Sequence, residues 1–118
     1  MALDARLAAA AELCRPGLPV ADVGCDHGYL GIYLVQQGIA RTVAAMDLRR
    51  EPLETARRNA QRFGTAEQMT FTVCDGLTCL EAGQVDTVAC AGMGGDTIAG
   101  ILEACPWFKD EEVTWILQ

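Results

Sequence analysis

Positive charge is scarce in this 118-residue chain, and most of it lies in one half. Lysine and histidine occur once each, as Lys109 and His27, and the formal net charge is −7 with a pI near 4.5. Such a charge excludes a protein that coats nucleic acid by bulk electrostatics. All eight arginines lie within residues 1–62, however, so the acidic average conceals a local basic strip between Arg41 and Arg62.

Long apolar runs are also missing. No stretch approaches the roughly 18 uninterrupted apolar residues that a membrane span needs, and the first residues carry Asp4, Arg6 and Glu12 where a secretory leader has a basic start and an apolar block. We therefore expect a cytoplasmic protein without a membrane partner. With 51% hydrophobic and 21% charged residues, the composition predicts one globular domain over residues 1–118 and excludes a disordered chain.

The cysteines lack the spacing of a metal site or a redox motif. Six are present without any C-x-x-C pair, and Cys25, Cys74 and Cys90 lie in or beside apolar runs. We interpret them as reduced core residues, and with a single histidine we expect no metal site. The alternatives are a disulfide framework, which needs pairings that sequence alone does not reveal, or a metal site.

Short apolar runs alternate with helical patterns along the whole chain, which is typical of βαβ units in an α/β protein with a mostly parallel sheet. Pro52 and Gly64 punctuate the clearest helix. The patterns predict helices over 2–14, 29–37, 52–63 and 96–104, and strands over 19–23, 42–47, 69–74, 85–90 and 113–118. A sheet that stops at a fifth strand leaves an open edge, so we expect a piece of a longer protein or a homodimer formed through that edge.

The strongest local signal is V-A-D-V-G-C-D-H-G at residues 20–28. Gly24 permits a sharp turn after the strand, and Gly28 permits the next helix to pack close to that strand. Asp26 occupies the place of the middle glycine in a dinucleotide-binding loop, where a carboxylate would repel a pyrophosphate. The loop therefore suits a ligand with a cation, amines or hydroxyls better than NAD, although a plain strand-to-helix turn would give the same pattern.

Two further acids, Asp47 and Asp75, follow the second and third predicted strands. The carboxyl ends of parallel strands meet at one edge of the sheet, where open α/β sheets bind ligands. Asp47 is placed to accept hydrogen bonds from ribose hydroxyls. Each acid alone also fits an ordinary turn, but acids at three successive strand ends predict a ligand site.

Three segments together carry a family resemblance: A-D-V-G-C-D-H-G-Y-L at 21–30, D-G-L at 75–77 and A-G-M-G-G at 91–95. They resemble the bacterial tRNA adenine-N1 methyltransferases that modify adenine 22, within the Rossmann-like S-adenosylmethionine-dependent methyltransferases. The resemblance spans nearly the whole chain and implies a three-layer sandwich truncated after the fifth strand, with S-adenosyl-L-methionine as cofactor and tRNA as substrate. Gly31 departs from the proline common in the family, and the family's further strands and helical tRNA-binding extension are absent.

The resemblance also implies roles for individual residues. The 24–28 loop would hold the methionine part of the cofactor, Asp47 its ribose, and Asp75 with Gly76 its adenine. The full cofactor set is Asp22, Gly24, Cys25, Asp26, His27, Gly28, Asp47, Leu48, Asp75, Gly76, Ala91 and Gly92, and the target base would meet Tyr29, Met93, Gly94 and Gly95. Adenine N1 has a free lone pair and needs no strong base. Our hypothesis is that Asp26 is the catalytic residue, accepting from the adenine amino group and stabilising the developing positive charge.

Other features carry two interpretations each. We interpret His27 as a loop histidine that hydrogen-bonds a neighbouring carbonyl rather than as a general base. Met93 could stack on the base or fill a gap beside the pocket. The helix face of Arg57, Arg58 and Arg62 could contact tRNA phosphates, but we expect a solvated face with a Glu54–Arg58 pair.

The alternatives for the whole chain are a methyltransferase with another acceptor, such as ribosomal RNA or a small molecule, and a noncatalytic cofactor-binding fragment. The tRNA species is not determined by these residues, because it depends on contacts outside them.

Overall fold

The computed structural model describes residues 3–117, in which strands and helices alternate. The strands are β1 (Leu18–Val23), β2 (Ala40–Asp47), β3 (Met69–Val73), β4 (Thr87–Cys90) and β5 (Thr114–Leu117). The helices are α1 (Ala5–Glu12), α2 (Tyr29–Gln36), α3 (Arg50–Arg62) and α4 (Gly95–Glu103), with a short 3-10 turn at Ala66–Gln68. None of the helices in this part of the chain has the length and apolarity to cross a membrane.

The five strands form one parallel sheet in the order β3-β2-β1-β4-β5. The chain first runs outward from β1 to β3 and then returns to the other side of β1, so the strand order reverses between β1 and β4. Open α/β sheets bind ligands outside the carboxyl ends of the strands at such a point. The predicted α/β class and parallel sheet are confirmed.

Two apolar clusters cover the two faces of the sheet. On one face, α1, α2 and α3 pack over residues such as Val20, Val43 and Ala45. On the other face, α4 and the segments that follow β3 and β4 pack over Ala21 and Val88. The alternation of side chains along β1 sends Val20 and Ala21 to opposite faces, and the result is the expected three-layer sandwich.

The first helix is shorter than predicted because a side chain caps it. Asp4 has extended backbone angles, and its Oδ1 accepts a hydrogen bond of 2.8 Å from the Leu7 N–H. A capping aspartate of this kind fixes the helix start at Ala5. The predicted start at residue 2 lies outside the described residues, and the helix ends at Glu12 instead of Cys14.

Other boundaries differ by a few residues. Helix α3 begins at Arg50, so Pro52 is its third residue and not its first; proline is tolerated there because the N–H groups of a first turn have no intrahelical partner. Strand β2 begins at Ala40 and β4 at Thr87, against predicted starts at residues 42 and 85. The predicted end of the last strand, residue 118, lies outside the described residues.

The cysteines expected in the core lie there. Cys25, Cys74 and Cys90 are buried, while Cys79 is exposed. Burial raises the pKa of the Cys90 thiol to about 11, as expected when a charged thiolate would lose its hydration.

Gly31 has a packing role in the middle of α2. A Cβ atom at this position would lie 2.9 Å from Val43 Cγ1 and 3.0 Å from Met69 Cε. Real Cβ atoms do not approach other atoms so closely, so the missing side chain allows α2 to lie tightly on β2. This gives a physical reason for glycine at position 31.

We predict that Gly31→Ala lowers the free energy of unfolding by about 1–3 kcal/mol, since overpacking outweighs the gain in helix propensity. Gly100→Ala in α4 is the matched control, because a Cβ there meets no atom within 4 Å. We expect the control to be neutral or to stabilise by up to about 1 kcal/mol. Urea denaturation measures both, and equal effects of the two substitutions would contradict close packing of α2.

Candidate functional site

Two clefts lie side by side at the carboxyl ends of the strands. The larger encloses about 410 Å³ between the ends of β1, β2 and β3 and helix α4. The smaller encloses about 250 Å³ between β1, the loop that follows it, and α1. Gly24 and Asp47 line both clefts, so the two join at the loop predicted from the sequence. An elongated ligand could occupy both.

Asp47 organises this junction. Its Oδ2 accepts a hydrogen bond of 3.3 Å from the Asp26 N–H, and its Oδ1 accepts one of 3.1 Å from the Arg49 N–H. The carboxylate thus fixes the loop after β1 and the entry to α3 at the same time. A carboxylate held in this way is preorganised to accept further hydrogen bonds from a ligand.

The loop of residues 24–28 uses three left-handed backbone positions. Gly24 and Gly28 have φ values of 70° and 81°, and Asp26, at 52°, is the one non-glycine residue with positive φ in the described part of the chain. A Cβ at Gly28 would lie 2.8 Å from Ala56 Cβ. Gly28 therefore permits close packing as predicted, but against α3 and not against the strand. At Gly24, the Met93 methyl group occupies the space that a Cβ would need.

His27 differs from the prediction. Its Nδ1 lies 3.0 Å from Asp26 Oδ2, so its partner is a carboxylate and not a neighbouring carbonyl. Its own carbonyl accepts a hydrogen bond of 2.9 Å from Asn59 Nδ2. The His27 ring also stacks on Tyr29, with centroids 5.6 Å apart and planes 14° from parallel. Asp26 directly precedes His27, and its left-handed backbone angle accompanies the contact between the two side chains.

Asp22 is the most unusual group of the site. It lies in β1, lines the smaller cleft, is only 3% exposed, and its Oδ2 has no hydrogen-bond partner among the described residues. Burial raises its pKa to about 7, with a smaller contribution from Asp47, while a hydrogen bond from the Gly31 backbone opposes the shift. A buried oxygen without a partner is costly. A cationic or donor group in the cleft would supply what is missing.

The structure brings together most of the predicted site residues. The smaller cleft takes Asp22, Cys25, Asp26, His27, Tyr29, Ala91 and Gly92, the larger takes Leu48, Asp75, Gly76 and Met93, and Gly24 with Asp47 belongs to both. Gly28, Gly94 and Gly95 are not among the lining residues. Gly94 is the N-cap of helix α4 and Gly95 is its first residue. These two glycines therefore belong to the start of the helix and not to the wall of either cleft.

Two arginines of the smaller cleft, Arg6 and Arg49, were missed. Arg49 lies two residues after the rim acid Asp47, and this proximity could have revealed it. Arg6 lies in α1, before the first strand, and no local pattern connects it to the loops of the rim. Only the packing of α1 beside the end of β1 places it there.

The arginines of α3 are exposed as expected, but the ion pair expected beside them does not form in the described part of the chain. No Glu54–Arg58 pair within 4.0 Å forms in the described structure, where His27–Asp26 is the one ionic contact. Arg58 instead donates to Thr55 Oγ1 at 3.4 Å. The Arg57 guanidinium lies 5.2 Å from the centre of the Phe71 ring, a cation–π geometry. The prediction of this ion pair is therefore wrong. Among the described residues, no carboxylate forms a salt bridge with an arginine of this face.

The parallel sheet and the loops at its carboxyl edge can now be compared with those of known protein families. Residues 3–118 match the family described as "Methyltransferase domain", and the chain belongs to that family. The family resemblance proposed from the three sequence segments is confirmed by the relatives described next.

The chain is 36% identical over 102 residues to a tRNA (adenine(22)-N(1))-methyltransferase of Bacillus subtilis, covering 86% of this chain and 43% of the relative. Among solved structures, M. capricolum TrmK in complex with S-adenosyl-homocysteine superposes with a TM-score of 0.86 at 31% identity, covering 98% of this chain and 51% of that one. Streptococcus pneumoniae Sp1610, a putative tRNA (m1A22) methyltransferase in complex with S-adenosyl-L-methionine, gives 0.87 at 34% identity, with 98% and 55% covered. The chain thus spans about half the length of these relatives.

We predict that Asp22 makes the folded chain less stable as the pH rises from about 4 to about 7. Its pKa is raised on folding from 3.8 to about 7, so the folded state retains a proton that the unfolded state releases in this window. Asp22→Asn, which is uncharged at every pH, should reduce the loss of stability between pH 5 and pH 8 by on the order of 3 kcal/mol.

Thermal unfolding at pH 5 and pH 8 measures this effect. Glu103→Gln, at an exposed acid of α4, is the control and should keep the pH dependence of the parent chain. An Asp22→Asn variant with an unchanged pH dependence would show that Asp22 ionises normally in the folded protein.

Proposed function

We propose that this chain is the cofactor-binding domain of an enzyme that transfers a methyl group from S-adenosyl-L-methionine to N1 of adenine 22 in tRNA. The observation that carries the proposal is the pair of clefts joined at Gly24 and Asp47, with the unpartnered Asp22 oxygen in one and Asp75 in the other. This arrangement suits a ligand with an ammonium group at one end and an adenosine at the other. The complexes of the M. capricolum and S. pneumoniae relatives support it.

The residues present fit this cofactor in three ways. Buried Asp22 offers an acceptor to the ammonium group, and Asp47 offers a fixed carboxylate to the ribose hydroxyls. Leu48 and Leu77 give the larger cleft apolar walls beside Asp75, as an adenine ring requires. When bound, S-adenosyl-L-methionine supplies an electrophilic methyl group on its sulfonium sulfur.

The protein's part in the reaction is to hold the base. Asp26 has a side chain that is 69% exposed at the rim, and its contact with His27 Nδ1 orients the carboxylate. In our proposal Asp26 accepts a hydrogen bond from the adenine amino group, and its charge stabilises the positive charge that develops on the ring. Adenine N1 attacks with its own lone pair, so the site needs no group that removes a proton.

Tyr29 supports the same step. The residue is 41% exposed, and its ring stacks on the ring of His27, which is next to Asp26 in the chain. A flat, half-exposed aromatic surface next to a hydrogen-bond acceptor is typical of sites that take an unstacked base. Met93, at the junction of the clefts, would border the base in this proposal.

Pairing of two copies through the edge strand β5 and a cytoplasmic location stay predictions.

We predict that this chain binds S-adenosyl-L-methionine and that Asp47→Ala weakens binding about 10- to 100-fold, because charge-assisted hydrogen bonds to the ribose are lost. Isothermal titration calorimetry measures both affinities, circular dichroism verifies folding, and Glu103→Gln serves as the control. A folded parent chain without saturable binding would refute the cofactor site as proposed.

We further predict that Asp26→Asn lowers the rate of methyl transfer about 10- to 100-fold at saturating S-adenosyl-L-methionine, where a change in cofactor affinity does not enter. The assay uses tRNA transcripts with adenine or guanine at position 22. Equal rates for Asp26→Asn and the parent would disprove the role of Asp26. Equal methylation of the two transcripts would favour another acceptor, and transfer to neither would favour a noncatalytic fragment.

A further inference from the structure

Two cysteines lie together at the border of the larger cleft, and the proposed function uses neither of them. Cys74 directly follows β3, is 4% exposed and lines the cleft, whereas Cys79 is exposed and is not among the lining residues. The Cys79 N–H donates a hydrogen bond of 3.2 Å to Cys74 Sγ. The turn of residues 75–78 therefore brings the second cysteine back onto the side chain of the first.

The two thiols also contact each other. The pKa of the Cys79 thiol is raised first by its hydrogen bond with the Cys74 side chain and then by burial. Cys79 Sγ in addition lies 3.8 Å from the Val73 carbonyl oxygen, beside the end of β3. A disulfide needs a sulfur–sulfur distance of about 2 Å. Two thiols already in contact reach that distance through a small rotation of the exposed Cys79 side chain.

The turn between the two cysteines forms one wall of the larger cleft. All of its residues line that cleft: Asp75, Gly76, Leu77 and Thr78. Within the turn, the Thr78 N–H donates to the Asp75 carbonyl at 3.2 Å, and the Thr78 hydroxyl lies 3.6 Å from Cys74 Sγ. A bond between the sulfur atoms is much shorter than these contacts. Its formation therefore draws the turn toward Cys74 and displaces the wall.

We propose that Cys74 and Cys79 are a site of reversible oxidative modification, at which a peroxide converts the two thiols into a disulfide that weakens ligand binding in the larger cleft. Disulfide formation depends only on the thiols. Its effect on binding rests on the proposed function, because it assumes that S-adenosyl-L-methionine occupies this cleft.

The reaction has two steps and consumes one peroxide. The accessible Cys79 sulfur attacks a peroxide oxygen, the O–O bond breaks, and hydrogen peroxide yields a sulfenic acid on Cys79 and one water. The Cys74 sulfur then attacks the Cys79 sulfur, so that an S–S bond forms and the hydroxyl group leaves with the Cys74 proton as a second water. A thiol reductant reverses the modification by thiol–disulfide exchange.

The test treats the parent chain, Cys79→Ser and Cys14→Ser with hydrogen peroxide at about pH 8, where more of a thiol with a raised pKa is ionised than at neutral pH. Cys14→Ser is the matched control: Cys14 is buried on the other face of the sheet, lines neither cleft, and a serine hydroxyl can replace its contact with the Ala10 carbonyl. After free thiols are blocked and the chain is unfolded, chymotrypsin cleaves after Leu77, between the two cysteines. Mass spectrometry then detects the two peptides as a linked pair wherever the disulfide has formed.

We expect the linked pair in the parent chain and in Cys14→Ser, and its absence in Cys79→Ser. Isothermal titration calorimetry with S-adenosyl-L-methionine should show about 10-fold weaker binding by the two oxidised chains, as for the loss of about one hydrogen bond at the displaced wall. Dithiothreitol should restore the affinity. Cys79→Ser should bind equally well before and after peroxide, which separates the disulfide from oxidation of any other cysteine or methionine.

A parent chain without the linked pair would overturn the modification site. A linked pair with unchanged affinity, or an equal loss of affinity in Cys79→Ser, would overturn the effect on the cleft. A folded, reduced parent chain that does not bind S-adenosyl-L-methionine would refute the proposed function and the effect on binding, whereas the linked pair would still establish the disulfide.

Discussion

The site depends on the hydrogen bonds that tie the end of β1 to the end of β2. The N–H groups of Gly24 and Cys25 both donate to the Met46 carbonyl, at 2.8 and 2.9 Å, and the Asp26 N–H then donates to the Asp47 side chain. Parallel pairing brings these two strand ends to the same edge, and the left-handed angle at Gly24 turns the chain sharply enough to continue the contacts. The cleft walls, the exposed Asp26 and the start of α2 all follow from this junction.

The buried Asp22 shows what the arrangement costs. A carboxyl group in the middle of a parallel sheet has one oxygen without a partner among the described residues, and burial raises its pKa. We therefore expect it to destabilise the folded chain near neutral pH. Natural proteins keep such local violations where function requires them. In the proposed function the cofactor's ammonium group donates a hydrogen bond to this oxygen. The interaction that the Asp22 side chain lacks in the free protein would then contribute to the affinity for the cofactor.

Much of this architecture could be predicted from the sequence, because its signals are local. Apolar runs of strand length, the glycines at 24 and 28, and the acids at the strand ends each act within a few residues of themselves. Helix ends were less predictable: α3 begins at Arg50 because its first turn accommodates Pro52 two positions inside the helix. The predicted Glu54–Arg58 ion pair does not form in the described structure, because surface ion pairs contribute little free energy. The Arg58 side chain donates a hydrogen bond to Thr55 instead.

The sequence by itself determined the alternation of strands and helices, the parallel sheet, and the position of Asp26, Asp47 and Asp75 at one rim, since strand periodicity and turn chemistry depend on neighbouring residues. Only the tertiary structure decided which distant groups meet. It set Arg6 of α1 against Gly92, closed α2 onto β2 through Gly31, and divided the rim into two clefts that join at Gly24 and Asp47. Such contacts depend on how helices pack on the sheet, and packing is fixed by the fit of whole surfaces rather than by any local pattern.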